Sequence, residues 1–437
     1  MGTFVVNTEQ EQKQMLAAAG KSSFDALFAT VPDSVKIDHL NLPEGMSELE
    51  TAARMEGMAA QNTVYRQIFR GAGAYHHYIP AVVKRVTGKE EFLTAYTPYQ
   101  AEISQGVLQS IFEYQTMICE LTGLDCANAS VYDGATAAAE AVKMCVEKKR
   151  TKILVAQTAQ PETVSVIRTY AFGKDDPVQM IAEKDGVLDP EALKAALAED
   201  SACLFVQQPN YYGNLEDMDA IAAMVKEAGA KLVMGCNPVS LGLLKTPGAY
   251  GADIACGEGQ PLGLPLGFGG PYLGFMACTE KMMRKLPGRI IGETKDHDGN
   301  KAYVLTLQAR EQHIRREKAG SNICSNEALC ALTAAVYLSA MGPEGLKEVA
   351  KQCSSKAHYL QKVLAEAGLQ ARDAKPFFHE FVTVSETPSS KILEALREKG
   401  ILGGLPLNEK EILWCATELN TRQAMDEVAE IVKEVRA

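Results

Sequence analysis

The sequence holds eleven cysteines and seven histidines, yet it contains no Cys-x-x-Cys pair and no His-x-x-x-His. Metal-ligand spacing is therefore missing, and no metal is expected. The thiols are scattered from Cys119 to Cys415, unlike a disulfide framework, so reduced cysteines in a cytoplasmic protein are the expectation. Positive charge is also short: 44 Lys+Arg against 55 Asp+Glu gives a net charge of -11, which argues against nucleic acid as a partner. No apolar run reaches the about 20 residues of a membrane span. The longest, Ala328 to Met341, is interrupted by Thr333 and Ser339 and reads as a buried helix. No basic start followed by an apolar stretch precedes Glu9, Gln10 and Glu11, so no secretory leader is expected. Nor is myristoylation expected, because Val6 stands where that motif needs Ser or Thr.

What is present is ample material for a core: 437 residues, 46% of them hydrophobic, enough for two or three domains. Residues 1–70 are polar and rich in helix formers, with Gln12 to Ala18 and Ser47 to Tyr65 predicting helices of an N-terminal arm. From Lys152 onward, short β-branched runs alternate with helical segments. Strands are predicted at 152–157, 178–182, 202–207 and 231–236, and helices at 161–172, 190–198 and 215–228. Pro161 and Pro190 open helices and Gly229 closes one, so right-handed βαβ crossovers and a mostly parallel sheet follow. Residues 71–325 form this large α/β domain. Residues 326–437 read as a smaller α+β domain, closed by a helix whose Val428, Ile431, Val432 and Val435 share one face. Functional residues belong at the carboxyl ends of the parallel strands.

Four segments could carry chemistry. Val131 to Glu140 reads as strand, tight turn and helix start, a place for a phosphate; Asp133 could equally cap that helix itself. Gly257 to Pro271 is too rich in glycine and proline for regular structure and fits no nucleotide-binding pattern, which leaves a close-packed turn or a loop around an active site. Thr94 to Gln105 interleaves tyrosines with polar groups, and Pro98 is placed to open the following helix. Arg310 to Cys324 gathers Arg310, Arg315, Arg316 and Lys318, as either a solvated helix face or an anionic docking site.

Together Tyr96 to Gly106, Ala127 to Ser130, Gln207 to Asn210, Gly257 to Gly263 and Arg310 to Lys318 closely resemble the glycine cleavage system P-protein family, in the form whose N-terminal half is a separate subunit. The resemblance covers nearly the whole chain. It implies the pyridoxal-phosphate-dependent transferase fold of the aspartate aminotransferase class. It also implies a complex that decarboxylates glycine and passes the aminomethyl group to the lipoyl arm of H-protein. Such chemistry needs a Schiff-base lysine and a carboxylate for the pyridinium nitrogen. At the matching places stand Gln260 and Asn237, and no lysine or arginine occurs from Thr246 to Glu280. Related first subunits tend to show Asp where Asn237 stands.

The resemblance thus implies that pyridoxal phosphate sits on a lysine-bearing second subunit, with two copies of each chain, and that this chain completes the partner's site. Residues expected to contribute there are Tyr75, Tyr96, Tyr99, Gln100, Glu102, His313 and Asn322. Arg310, Arg315, Arg316 and Lys318 are expected to dock a partner. Two rival readings are an autonomous enzyme using another lysine, such as Lys245, and a scaffold subunit without a catalytic role.

Overall fold

The computed structural model describes residues 6–37, 39–93 and 98–436. Residues 1–64 and 65–437 form two separate compact units. The first carries helices Glu9–Ala18 and Glu48–Ala59. Thr8 with Glu11, and Ser47 with Glu50, form capping boxes that satisfy the first free N–H groups of each helix.

The second unit is built on a seven-stranded sheet. From edge to edge its strands are Val178–Ile181, Lys152–Ala156, Ser201–Gln208, Lys231–Cys236, Ile254–Glu258, Gly274–Cys278 and Cys126–Ala127. The first five are parallel, while Gly274–Cys278 runs antiparallel to both neighbours. Alternation along the strands divides the core in two. Ile153, Val155, Cys203 and Phe205 face helices Gly134–Cys145 and Pro161–Phe172. Leu154, Ala156, Leu204 and Val206 face helices Pro190–Ala196 and Met218–Glu227. Such two-sided burial explains why these strands read as continuous apolar runs.

Helix Ala328–Glu366 leads from this sheet into the C-terminal part. It kinks at Gly342, whose φ of 62° precedes Pro343, where the ring would clash with the preceding turn. Before the kink, Ala331, Ala334 and Tyr337 pack beside the large sheet; after it, Leu360 and Leu364 join the C-terminal core. That core also holds Trp414, Val428, Ile431 and Val432, with Val435 packed against it, so the four apolar residues of the final helix do share a face. Its four-stranded sheet runs Gln370–Ala371, Glu380–Val384, Glu411–Cys415 and Leu405–Pro406. Residues just after the N-terminal unit belong here too, since Gln67–Ile68 pairs with Ile401–Leu402.

Several predicted boundaries shift: the helix read over Ser47 to Tyr65 spans Glu48–Ala59, those read over 190–198 and 215–228 span Pro190–Ala196 and Met218–Glu227, and strand Ile254–Glu258 enters the segment read as irregular. Pro98 does not open a helix; a short turn at Ala101–Ile103 intervenes and the helix begins at Gln105. The basic segment is likewise no continuous helix but three short pieces, Gln308–Arg310, Gln312–Arg315 and Arg316–Lys318, which present no long face for internal ion pairs.

The two parts of the second unit are stitched at Gly213, whose carbonyl accepts from Phe378 N, while Leu215 N donates to Pro376 O. Gly213 has φ of 86°, and a Cβ there would lie 1.9 Å from Glu380 O. Gly213→Ala is expected to destabilise the protein by on the order of 3 kcal/mol. Urea unfolding measures this, and an unchanged midpoint would mean that the junction relaxes freely.

A candidate cofactor-type pocket without a cofactor's ligands

A cavity of about 290 Å³ opens at the carboxyl ends of the parallel strands, between Gln207, Asn237, Glu258 and the start of helix Gly134–Cys145. This is where sheets of this kind place ligands. Helix starts offer free N–H groups and a positive dipole end to an anion, but here carboxylates have taken them. Asp133 caps the helix, accepting from Thr136 N at 2.7 Å. Glu258 accepts from Gly134 N at 3.0 Å, from Gln260 N at 2.9 Å and from Leu273 N at 2.9 Å. Burial, helped by nearby Asp133, pushes the Glu258 carboxyl above its ordinary value. Gly134 permits this approach, because a Cβ there would lie 2.8 Å from Glu258 N.

Gln260 has no exposed surface. Its Oε1 accepts from Tyr75 N at 2.8 Å, and its Nε2 donates to Tyr75 O at 2.9 Å and Leu264 O at 2.8 Å. The side chain is a staple between two loops, with no free group aimed into the cavity. Asn237 is equally engaged: its Oδ1 accepts from Val239 N at 2.9 Å and its Nδ2 lies 3.3 Å from His379 Nε2. Burial drives the His379 pKa down to about 3, so the ring is neutral and its Nε2 accepts from Asn237. These residues do not fit pyridoxal phosphate. No lysine or arginine lines the cavity, the ring-nitrogen partner is a neutral amide, and two carboxylates occupy the place of the phosphate.

Tyr75, which lines the cavity, also belongs to a buried polar cluster assembled from residues far apart in the chain. Tyr75 donates from its hydroxyl to Glu380 at 2.8 Å, and Glu380 also accepts from Ala72 N at 2.7 Å. His77 Nδ1 lies 2.8 Å from Glu418, and Cys353 Sγ donates to Glu418 at 3.4 Å. His77, Cys353 and Glu418 group their ligand-type atoms within 4.8 Å of one another, across separations no spacing rule covers. The Glu418 pKa is held down to about 2: burial opposes this, but the bond and charge of His77 outweigh it.

The residues singled out from sequence separate into different places. Tyr75 is buried, lines the cavity and has its hydroxyl on Glu380. Tyr96 lies outside the described residues. Tyr99, Gln100, Glu102, His313 and Asn322 are exposed, with Tyr99 OH accepting from Arg289 Nη2 at 2.5 Å. Arg310 is half-buried, with its guanidinium held by Leu286 O and Gly288 O. Arg315, Arg316 and Lys318 are exposed. Arg315 and Lys318 line a second cavity of about 620 Å³, together with Lys143, Arg284 and Lys285. Lys245 is exposed, bonded to Asp219 at 2.6 Å, and does not line the first cavity. Arg289, Glu258 and Glu380 were missed, because their roles arise only from long-range packing.

Burial raises the Glu380 pKa from 4.5 to about 7. Between these values the folded protein holds a proton that the unfolded chain releases, so this contribution is complete below pH 4.5 and lost as pH rises through about 7. Glu380→Gln is expected to flatten the fall in stability over that window. Thermal melting from pH 5 to 8 tests it, and an unaltered slope would remove Glu380 as its source.

Comparison with known proteins agrees with this geometry. Residues 3–432 match the family model described as glycine cleavage system P-protein. The chain is 49% identical to a probable glycine dehydrogenase (decarboxylating) subunit 1 of Desulfitobacterium hafniense, over 99% of this chain and 100% of that protein. It is 50% identical to the same-named protein of Moorella thermoacetica, over 100% of both chains. A solved glycine decarboxylase (P-protein) of the glycine cleavage system, in inhibitor-bound form, superposes with a TM-score of 0.94 at 44% identity, covering 99% of this chain and 100% of that one. An aspartate aminotransferase of Thermus thermophilus shares the fold, with a TM-score of 0.59 at 18% identity over 84% of this chain and 98% of that one. Matched over nearly its whole length by the family model and by these relatives, the chain belongs to the glycine cleavage system P-protein family.

Proposed function

We propose that this chain is the subunit of a glycine-decarboxylating P-protein that holds no pyridoxal phosphate and completes the active site of a lysine-bearing second subunit. In that complex glycine is decarboxylated and its aminomethyl group passes to the lipoyl arm of H-protein. Two copies of each subunit, in the cytoplasm, form the working assembly. The observation that carries the reading is the carboxylate-filled cradle beside the stapled Gln260. Bound cofactor would supply an electron sink for the carbanion left by decarboxylation, and nothing in this chain's pocket can anchor it.

What the chain can contribute is an exposed polar edge. Tyr99 OH is already positioned by Arg289, and Gln100 and Glu102 are exposed beside it. Arg315, Arg316 and Lys318 add a basic surface, where charge aids encounter and register more than affinity. The autonomous alternative is disfavoured by Lys245, held at the surface by Asp219 and lying over the Tyr250 ring.

Three measurements test this. The purified chain titrated with pyridoxal phosphate is expected to show no stoichiometric absorbance change, and borohydride is expected to trap no single peptide; a stoichiometric adduct on one lysine would overturn the cofactor-free reading. In the reconstituted complex, Tyr99→Phe is expected to lower turnover by about tenfold, the loss of one good hydrogen bond, with assembly intact. Full turnover would favour a scaffold role. Arg315→Glu with Arg316→Glu is expected to weaken the use of H-protein in a salt-dependent way, and an unchanged apparent affinity would return these residues to simple solvation.

A further inference from the structure

Among the described residues, Arg289 is the only lysine or arginine in the buried class, at 3% exposure. Its partners are neutral: Nη1 donates to Asn326 Oδ1 at 3.2 Å and Nη2 to Tyr99 OH at 2.5 Å, while buried Nε has no partner. Buried charges in folded proteins are normally paired. Half-buried Arg372 is paired with Asp373, and half-buried Arg70, Arg150 and Arg310 each lie on two carbonyls, although Arg310 Nε also has no partner. Arg289 is also rigidly framed. Its carbonyl accepts from Ala129 N, and Asn326 is fixed in turn on Ser130 Oγ at 3.0 Å. The Tyr99 ring, 4.6 Å from the guanidinium, is itself 55% exposed.

We infer that Arg289, beneath Tyr99, is the receptor for an oxyanion, a carboxylate or a phosphate, supplied from outside this chain when the partner subunit closes over the face. A guanidinium with a free N–H beside a movable phenol offers the planar fork that carboxylate and phosphate both accept. The inference rests on the subunit reading above. Two sources share this chemistry: the α-carboxylate of the amino-acid substrate and the phosphate of the cofactor bound by the partner.

The test compares wild type, Arg289→Met and Arg289→Lys in the reconstituted two-subunit complex. Removing an uncompensated buried cation is expected to leave the isolated Arg289→Met chain as stable as wild type, or more so, whereas a merely structural arginine would make it less stable. In the complex, Arg289→Met is expected to raise the KM for glycine at least tenfold with cofactor affinity kept, if the substrate carboxylate is the ligand. If the phosphate is, cofactor affinity falls instead by a similar factor. Arg289→Lys, which keeps the charge without the fork, is expected to recover part of either loss. Unchanged KM and cofactor affinity in an assembled Arg289→Met complex would overturn the receptor.

Should the wild-type complex fail to turn over glycine, the subunit reading falls, and the receptor is then judged on the isolated chain. Inorganic phosphate, at matched ionic strength, is expected to raise the melting temperature of wild type more than that of Arg289→Met. An equal response would sink the proposal.

Discussion

The Glu258 carboxylate is the point on which the architecture of the pocket turns. By accepting backbone N–H groups from a helix start, from the following loop and from the neighbouring antiparallel strand, it fixes three chain segments with one side chain. A buried carboxylate is tolerated only when such bonds replace its water shell. The consequence is a carboxylate-lined floor at the helix start, and a loop beyond it that Gln260 staples to Tyr75.

Around this floor the polar groups form connected tiers. Gln260 fixes the Tyr75 backbone, the Tyr75 hydroxyl fixes Glu380, and Glu380 lies on the strand that joins the smaller sheet to Gly213. The region corresponding to catalysis in kindred folds thus serves as the mechanical link between the two sheets. Outside these tiers, Tyr99 and Asn326 meet at the buried Arg289 guanidinium.

Much of the large sheet was legible because two-sided burial writes each strand as an unbroken apolar run, and because Pro161, Pro190 and Gly229 punctuate the helices. The chemistry of Gln260 and Asn237 is also plain from the sequence, since a neutral amide is neither an amine nor an anion whatever its geometry. The fate of Tyr75 and Arg310 could not be read there. Both belong to motifs that look like outward-facing machinery, and their partners, Glu380 and the carbonyls of Leu286 and Gly288, are supplied by distant packing. Arg289 was overlooked for the converse reason: a lone arginine in Pro-Gly-Arg-Ile has no local signature, and only its burial and its neutral neighbours set it apart.

The stapled Gln260 carries a last consequence, for the reversibility of the design. A lysine restored at that one position would bury an ammonium while stripping Tyr75 N of its acceptor, and the cradle beyond would still repel a phosphate through Asp133 and Glu258. Each single step back toward an independent catalyst leaves an unpaired buried group, and only several coordinated changes avoid one. The hydrogen bonds around Gln260 and the two carboxylates thus resist piecemeal change in the core of the protein.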